Sequence, residues 1–278
     1  MRYVDKDFDI DIVKDTQRLL SKAKTYNSSE NVRDKLRMIY SGCCAYCESS
    51  FEEGSYFQID HFYPKHLKKY RLFAKDIRNL HYSCQRCNNL KGSKCREVLS
   101  PNWYLDGTQW KLTRKEKINN EIYYVGHLLY SRNLSEGSLN RGKNTISVFN
   151  LNNDNAAIRG NRSYLVESRL RVCNNVHLSL KSITDLLINY NKSSNCVIDI
   201  LFSQVVSAMH PSSCYSTMII QNYGDMLMKL LKTYIKLKAR SNNASLRAPS
   251  ATETSVFRRS CHSSSNTSSP NSWKSSPG

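Results

Sequence analysis

The chain has 278 residues, with 41 Lys+Arg against 23 Asp+Glu and a formal net charge of +18. That length is enough for one large domain or two small ones with a real core, and no run of residues approaches the ~18 apolar positions of a membrane span. The charge excess suits a partner covered in phosphate, either nucleic acid or an acidic membrane surface.

Residues 1–42 read as helical. Ile12, Val13, Leu19, Leu20 and Ala23 mark one segment, and Val32, Leu36, Ile39 and Tyr40 mark a second at helical spacing. The charges that alternate from Met1 to Asp15 leave no apolar secretory stretch, so a cytoplasmic location is expected. In a reducing compartment, paired cysteines usually hold metal rather than form disulfides.

Residues 43–100 form the cysteine-bearing module, with six of the chain's ten cysteines. Cys44-Ala45-Tyr46-Cys47 and Cys84-Gln85-Arg86-Cys87 are two Cys-x-x-Cys knuckles, each able to turn two thiolates toward one ion. Together they supply a tetrahedral, four-sulfur zinc site, closed to substrate and therefore structural. Cys43 could replace Cys44, although spacing favours Cys44; Cys95 reads as a spectator. The scattered Cys173, Cys196, Cys214 and Cys261 read as small hydrophobes or inert thiols.

Between the knuckles, Phe57 and Ile59 alternate as on a strand that Pro64 ends, and this strand carries Asp60 and His61. A carboxylate that holds a divalent ion and an imidazole that accepts a proton from water form a minimal hydrolytic pair. His66 reads as solvated, and His81 as packed or facing nucleic acid. Asn79 could be a turn residue and Asn88 a helix cap. Residues 65–96 hold ten Lys+Arg against the single acid Asp76, a local charge of +9, with Tyr63, Tyr70, Phe73 and Tyr82 around them. Such a strip neutralises phosphates without reading bases. Its candidate nucleic-acid contacts are Lys65, Lys68, Lys69, Arg86, Lys91 and Lys94.

Residues 101–150 mix short strands, Trp110 to Leu112 and Ile122 to Val125, with a Gly-, Asn- and Ser-rich loop around 133–144. Residues 151–238 return to helix: Val172, Val176, Leu180, Ile183 and Leu187 share one face. Met218, Ile219, Tyr223, Met226, Leu227, Leu230, Leu231, Tyr234 and Ile235 share another, which is either core or a partner's docking face. Residues 239–278 are rich in Ser, with 13 in the last 38 positions, and are expected to be a disordered tail.

The Asp60-His61 strand, the Asn79-Leu80 step and the run Cys87-Asn88-Asn89-Leu90-Lys91-Gly92, set around two knuckles, resemble the HNH endonuclease superfamily over residues 44–92. Asn88 stands where the last His of that name would be. The resemblance implies an α+β fold, a zinc-stapled ββα-metal module embedded in a largely α-helical chain. It implies His61 as general base, Asp60 and Asn88 as ligands of a catalytic Mg²⁺ or Mn²⁺, and Asn79 as the residue that pins the loop carrying His61. It also implies Lys91 as a phosphate contact. The lead-in helices, Cys44 to Glu48, Ile59 to Lys65 and Thr145 to Asn152, followed by an Arg-bearing helix (Arg159, Arg162, Arg169), are similar to a narrower subgroup. These are the nucleases of Septu-type antiphage defence, which also occur attached to some retrons. That similarity implies a PtuA-type ATPase partner and, in retron versions, a reverse transcriptase with its RNA–DNA product. The other readings are the same chemistry on RNA, for example tRNA, or a non-catalytic zinc module that only binds nucleic acid.

Overall fold

The computed structural model describes residues 1, 3–26, 30–50, 56–113, 115–132, 140–153 and 164–247. Two amphipathic helices open the chain, α1 (Asp11–Lys22) and α2 (Glu30–Ile39). They bury Val13 and Leu20, and Val32 and Leu36, the apolar stripes expected from their spacing. A Schellman-type end closes α2: Gly42 N–H reaches Arg37 O at 2.8 Å and Ser41 N–H reaches Met38 O at 2.9 Å, with Ser41 and Gly42 both at positive φ. This turn delivers the chain directly into the first knuckle.

The central module is a hairpin and a helix. β1 (Phe57–His61) pairs antiparallel with β2 (Leu80–Cys84), in register from Phe57↔Cys84 to His61↔Leu80. Two 3-10 turns, Lys68–Phe73 and Ile77–Asn79, lie between the strands, and α3 (Gln85–Lys91) follows β2 without a break. All five residues of β2 are buried, since α2, the first knuckle and α3 surround it.

The connection holds more structure than its composition suggested. Both expected strands are found, each as one half of a hairpin: β3 (Trp103–Asp106) with β4 (Gln109–Leu112), and β5 (Ile122–Val125) with β6 (Leu128–Ser131). Gly107 and Gly126 sit at positive φ in the two turns. Two short helices were not expected, α4 (Lys115–Glu121) and α5 (Arg141–Val148). The loop expected around 133–144 gives way at Arg141, because Asn140 caps the helix by accepting from Lys143 N–H at 2.8 Å. Residues 133–139 lie outside the described residues. Gly142 is required by close approach, since a Cβ there would collide with the carbonyl of Glu121.

Three long helices complete the described chain: α6 (Tyr164–Ile188), α7 (Asn195–Met209) and α8 (Ser216–Arg247). Val176, Leu180, Ile183 and Leu187 of α6 are buried as expected, with Ile198, Phe202 and Val205 of α7 among them. The face drawn along α8 was too wide: Met218, Ile219, Leu227 and Tyr234 are buried, but Met226 is 41% and Ile235 58% exposed. The boundary expected at 239 falls inside a helix. α8 continues through 239–247, a stretch with Ala, Arg and Leu, and Pro249 lies just past its end. Residues 248–278 are outside the described residues, as are Arg159 and Arg162. No described helix is long and apolar enough to cross a membrane.

The Phe149-Asn150-Leu151-Asn152 segment joins the layers. Phe149 stacks on Tyr46 with ring centroids 4.4 Å apart, and Asn150 O accepts from the Arg86 guanidinium at 3.1 Å. Leu151 O accepts from the buried Arg169 guanidinium. Asn152 exchanges two hydrogen bonds with the Leu129 backbone, at 3.0 and 2.7 Å. The turn between α7 and α8 closes on the first knuckle, where Glu48 accepts from Tyr215 N–H and Thr217 N–H at 3.3 and 3.2 Å.

Candidate active site

The sulfur atoms of Cys44, Cys47, Cys84 and Cys87 lie within 4.8 Å of one another, all buried. This cluster could hold a zinc ion. A regular ZnS₄ tetrahedron with Zn–S of ~2.3 Å has sulfurs about 3.8 Å apart, and Cys47 Sγ and Cys84 Sγ are 3.8 Å apart. The geometry separates Cys44 from Cys43, whose thiol instead points at Ser212 O, 3.8 Å away. Burial opposes ionisation of Cys44, but hydrogen bonds from Cys47, Cys84 and Cys87 bring it well below the ordinary thiol range. Backbone N–H groups of Tyr46 and Cys84 also point at Cys44 Sγ, at 3.5 and 3.4 Å. Cys84 is both the end of β2 and the N-cap of α3, accepting from Cys87 N–H at 3.5 Å. The cluster thus fixes the angle at which helix leaves hairpin.

That angle lays α3 across one face of β1. Asn88 Nδ2 donates to Gln58 Oε1 at 2.6 Å, and one turn later Lys91 Nζ lies 3.2 Å from Asp60 Oδ1. Gln58 and Asp60 are two apart on a strand and so share this face. Asn88 donates through Nδ2, which leaves its amide oxygen as the ligand-type atom. Asp60 is 3% exposed, and Tyr46 Oη donates to its Oδ2 at 2.5 Å. Burial pushes the Asp60 carboxyl up, and Lys91 and Tyr46 pull against that shift.

His61 takes the other face. Its Nε2 is 3.0 Å from the carbonyl of Ala74, and Tyr26 sits edge-on to the imidazole with centroids 4.5 Å apart. A carbonyl only accepts, so the neutral ring carries its proton on Nε2 and its lone pair on Nδ1. Burial, with smaller help from Lys65 and Lys91, pushes the His61 pKa down to about 4, so the imidazole is neutral near pH 7. Asn79 is fully buried and both polar atoms of its amide are partnered: Oδ1 accepts from Tyr63 N–H at 2.7 Å, and Nδ2 donates to Tyr63 O and Phe73 O, both at 3.1 Å. It therefore joins the segment after His61 to the segment that holds His61's ring.

Of the six cationic residues expected on nucleic acid, Lys65, Lys68, Lys69 and Lys94 are exposed. Lys91 is not at the surface: it is 0% exposed, and besides Asp60 it donates to His61 O and Phe62 O at 2.9 and 3.2 Å. The reason is its place on the inward face of α3, one turn after Asn88. Arg86 is half-buried and spent on Asn150 O. His81 is packed, not exposed, with Nδ1 2.5 Å from Tyr40 Oη; His66 is exposed. Tyr46, Tyr26, Gln58 and Ala74 were not singled out from sequence. Only Tyr46 carried a signal, its position inside a knuckle, and that said nothing of Asp60.

Residues 44–94 match the HNH endonuclease family model. The hairpin, α3 and the cysteine cluster therefore make up an HNH endonuclease domain, and the chain carries a nuclease. Over a greater length it is similar to the Septu protein PtuB of Bacillus mycoides (strain KBAB4). The two are 25% identical over 252 residues, 77% of this chain and 80% of that protein. It is also similar to the Septu protein PtuB of Bacillus thuringiensis, 28% identical over 141 residues, 49% of this chain and 47% of that one. No solved structure matches.

Proposed function

We propose that this chain is a metal-dependent endonuclease that hydrolyses nucleic-acid phosphodiester bonds as the effector of a bacterial antiphage defence system, working with a PtuA-type ATPase. The observation that carries the chemistry is one hairpin-and-helix module: His61, next to Asp60 on β1, has a neutral, oriented imidazole, and α3 brings Asn88 and Lys91 onto the strand residues Gln58 and Asp60. The similarity to Septu PtuB over 80% of that protein's length supports the cellular role.

The donor set suits two different ions. Four buried sulfurs suit zinc, with no position left open, so that ion is structural. One carboxylate oxygen from Asp60 and one amide oxygen from Asn88 are hard donors that suit Mg²⁺ or Mn²⁺. Such an ion, when bound, neutralises the charge that develops on phosphate oxygens during displacement. The chain's own residues do the rest. His61 Nδ1 accepts the proton of the attacking water, while Ala74 O keeps the tautomer and ring orientation. Asn79 holds the two segments that set this geometry. Tyr46 and Lys91 hold the Asp60 carboxylate in one orientation. Lys65, Lys68, Lys69 and Lys94 hold the backbone of the substrate. We place the contact with the ATPase on the helices of 151–238.

The test is to incubate the full chain, alone and with a PtuA-type ATPase, with duplex DNA, single-stranded DNA and RNA, in Mg²⁺ or Mn²⁺. Cleavage that leaves 5′-phosphate and 3′-hydroxyl ends, stops with chelator and is lost in His61→Ala is expected. Failure to cleave any of the three under either condition, or full cleavage by His61→Ala, would overturn the proposal.

A further inference from the structure

The turn that holds the His61 ring also holds out an apolar side chain. Leu72 is 91% exposed, the highest value among the exposed large apolar residues described. It is not a floppy residue on a loose loop. Its turn, Lys68–Phe73, is anchored on either side of it: Tyr70 is buried against Tyr63, centroids 4.9 Å apart, and Phe73 meets Trp110 edge-on at 5.2 Å. These two rings take the inward positions, and Leu72 is left pointing out. Its exposed neighbours are Lys68, Lys69 and Arg71. Two residues beyond it, the Ala74 carbonyl accepts from His61 Nε2 at 3.0 Å.

We propose that Leu72 is a wedge that enters duplex DNA next to the bond being cut, so that the preferred substrate is a duplex with an easily unstacked step. This rests on the nuclease reading above and names its substrate class. Proteins that deform duplex DNA insert Leu, Phe, Ile, Met or Pro between base steps, with Lys and Arg alongside on the phosphates. An apolar side chain held rigidly in water recovers its hydration cost on insertion, and being already ordered it loses little freedom. Pyrimidine–purine steps open most readily, so cleavage concentrates near them without any contact to base edges. A protein partner would also welcome an exposed leucine. The exposed cations around it, and the two-residue step to the Ala74 carbonyl that holds the His61 ring by a hydrogen bond, favour the duplex.

The experiment uses the full chain. In the His61→Ala background, which binds without cutting, a duplex carries the fluorescent base aminopurine in a TA step. Binding raises its fluorescence with Leu72 or Leu72→Met present, and Leu72→Ala loses the rise. In the cleaving chain, Leu72→Ala slows cutting of the matched duplex about tenfold but leaves a duplex with a mismatch at that step nearly unaffected. An equal fluorescence rise with Leu72→Ala, equal slowing on matched and mismatched duplexes, or no binding of the duplex at low salt overturns the wedge. So does a Leu72→Ala defect confined to capture of the ATPase, or one just as large on single strands and RNA. The fluorescence arm needs no cleavage, so a chain that cuts nothing defeats the nuclease reading while Leu72 is still decided.

Discussion

Lys91 carries its charge into the interior, where its Nζ meets Asp60 Oδ1 at 3.2 Å and three backbone carbonyls. A buried carboxylate without a partner is costly, and Lys91 opposes the burial that pushes the Asp60 carboxyl up. Replacing it removes that partner and keeps the burial. Lys91→Met is expected to destabilise the domain by ~3–5 kcal/mol in urea unfolding. An unchanged unfolding midpoint, together with a weaker salt dependence of DNA binding, would place Lys91 on a phosphate after all. His61 gives the opposite pattern. Its ring makes one hydrogen bond to Ala74 O and one edge contact with Tyr26, so truncation leaves little unsatisfied. His61→Ala should keep the fold and the bound zinc but lower cleavage by ~10²–10⁴ or more. A mutant that unfolds with wild-type specific activity in its folded fraction would remove His61 as the base.

At the level of elements, the module depends on Cys84 in two ways, as a sulfur donor at the end of β2 and as the cap of α3. Structural zinc in small domains is worth ~10–16 kcal/mol of apparent folding free energy. Cys84→Ser is therefore expected to lose bound zinc by elemental analysis and most soluble protein; a zinc-free variant that stays folded and active would show that the cluster is dispensable. The elements visible in the sequence are those with a local signature. The knuckles follow from Cys-x-x-Cys, and α1, α2 and α6 follow from an apolar stripe with one buried face. β3 carried no such signal, because its residues are all partly exposed or exposed and do not alternate. β6 is a short apolar run that could equally be helix. α7 is apolar on several sides, with Ile198, Phe202 and Val205 buried but Val197, Ile200 and Val206 exposed, so its period is blurred. The strand with Asp60 and His61 was legible, but the partners that orient the two side chains were not. Tyr46, Lys91, Ala74 and Tyr26 reach them through tertiary packing, and no spacing rule ties a knuckle tyrosine to a carboxylate on the next strand.

On the scale of the molecule, the +18 excess is unevenly placed, with +9 of it in residues 65–96. The structure divides that strip further. Lys91 is internal, Arg78 is paired with Asp76 at 2.7 Å, and Arg86 is tied to Asn150 O. Lys65, Lys68, Lys69, Arg71, Lys75, Lys94 and Arg96 remain exposed. Each cation that sits on a phosphate releases a counterion, and the logarithm of affinity falls by ~0.9 per contact per decade of salt. Seven exposed cations therefore set a limit of about −6 for the slope of log affinity against log salt. Lys68 and Lys69 open the turn that leads to Ala74 and the His61 ring, so their loss should weaken binding of every sequence alike, with the slope shallower by about 1 for each Lys→Ala. Anisotropy of a labelled duplex across a range of salt concentrations measures both. A flat salt response, or a Lys68→Ala effect that changes with sequence at constant slope, would mean that the nucleic acid lies on another face. In that case His61, whose ring is held at Ala74 just after this turn, would not be the group that reaches its phosphate.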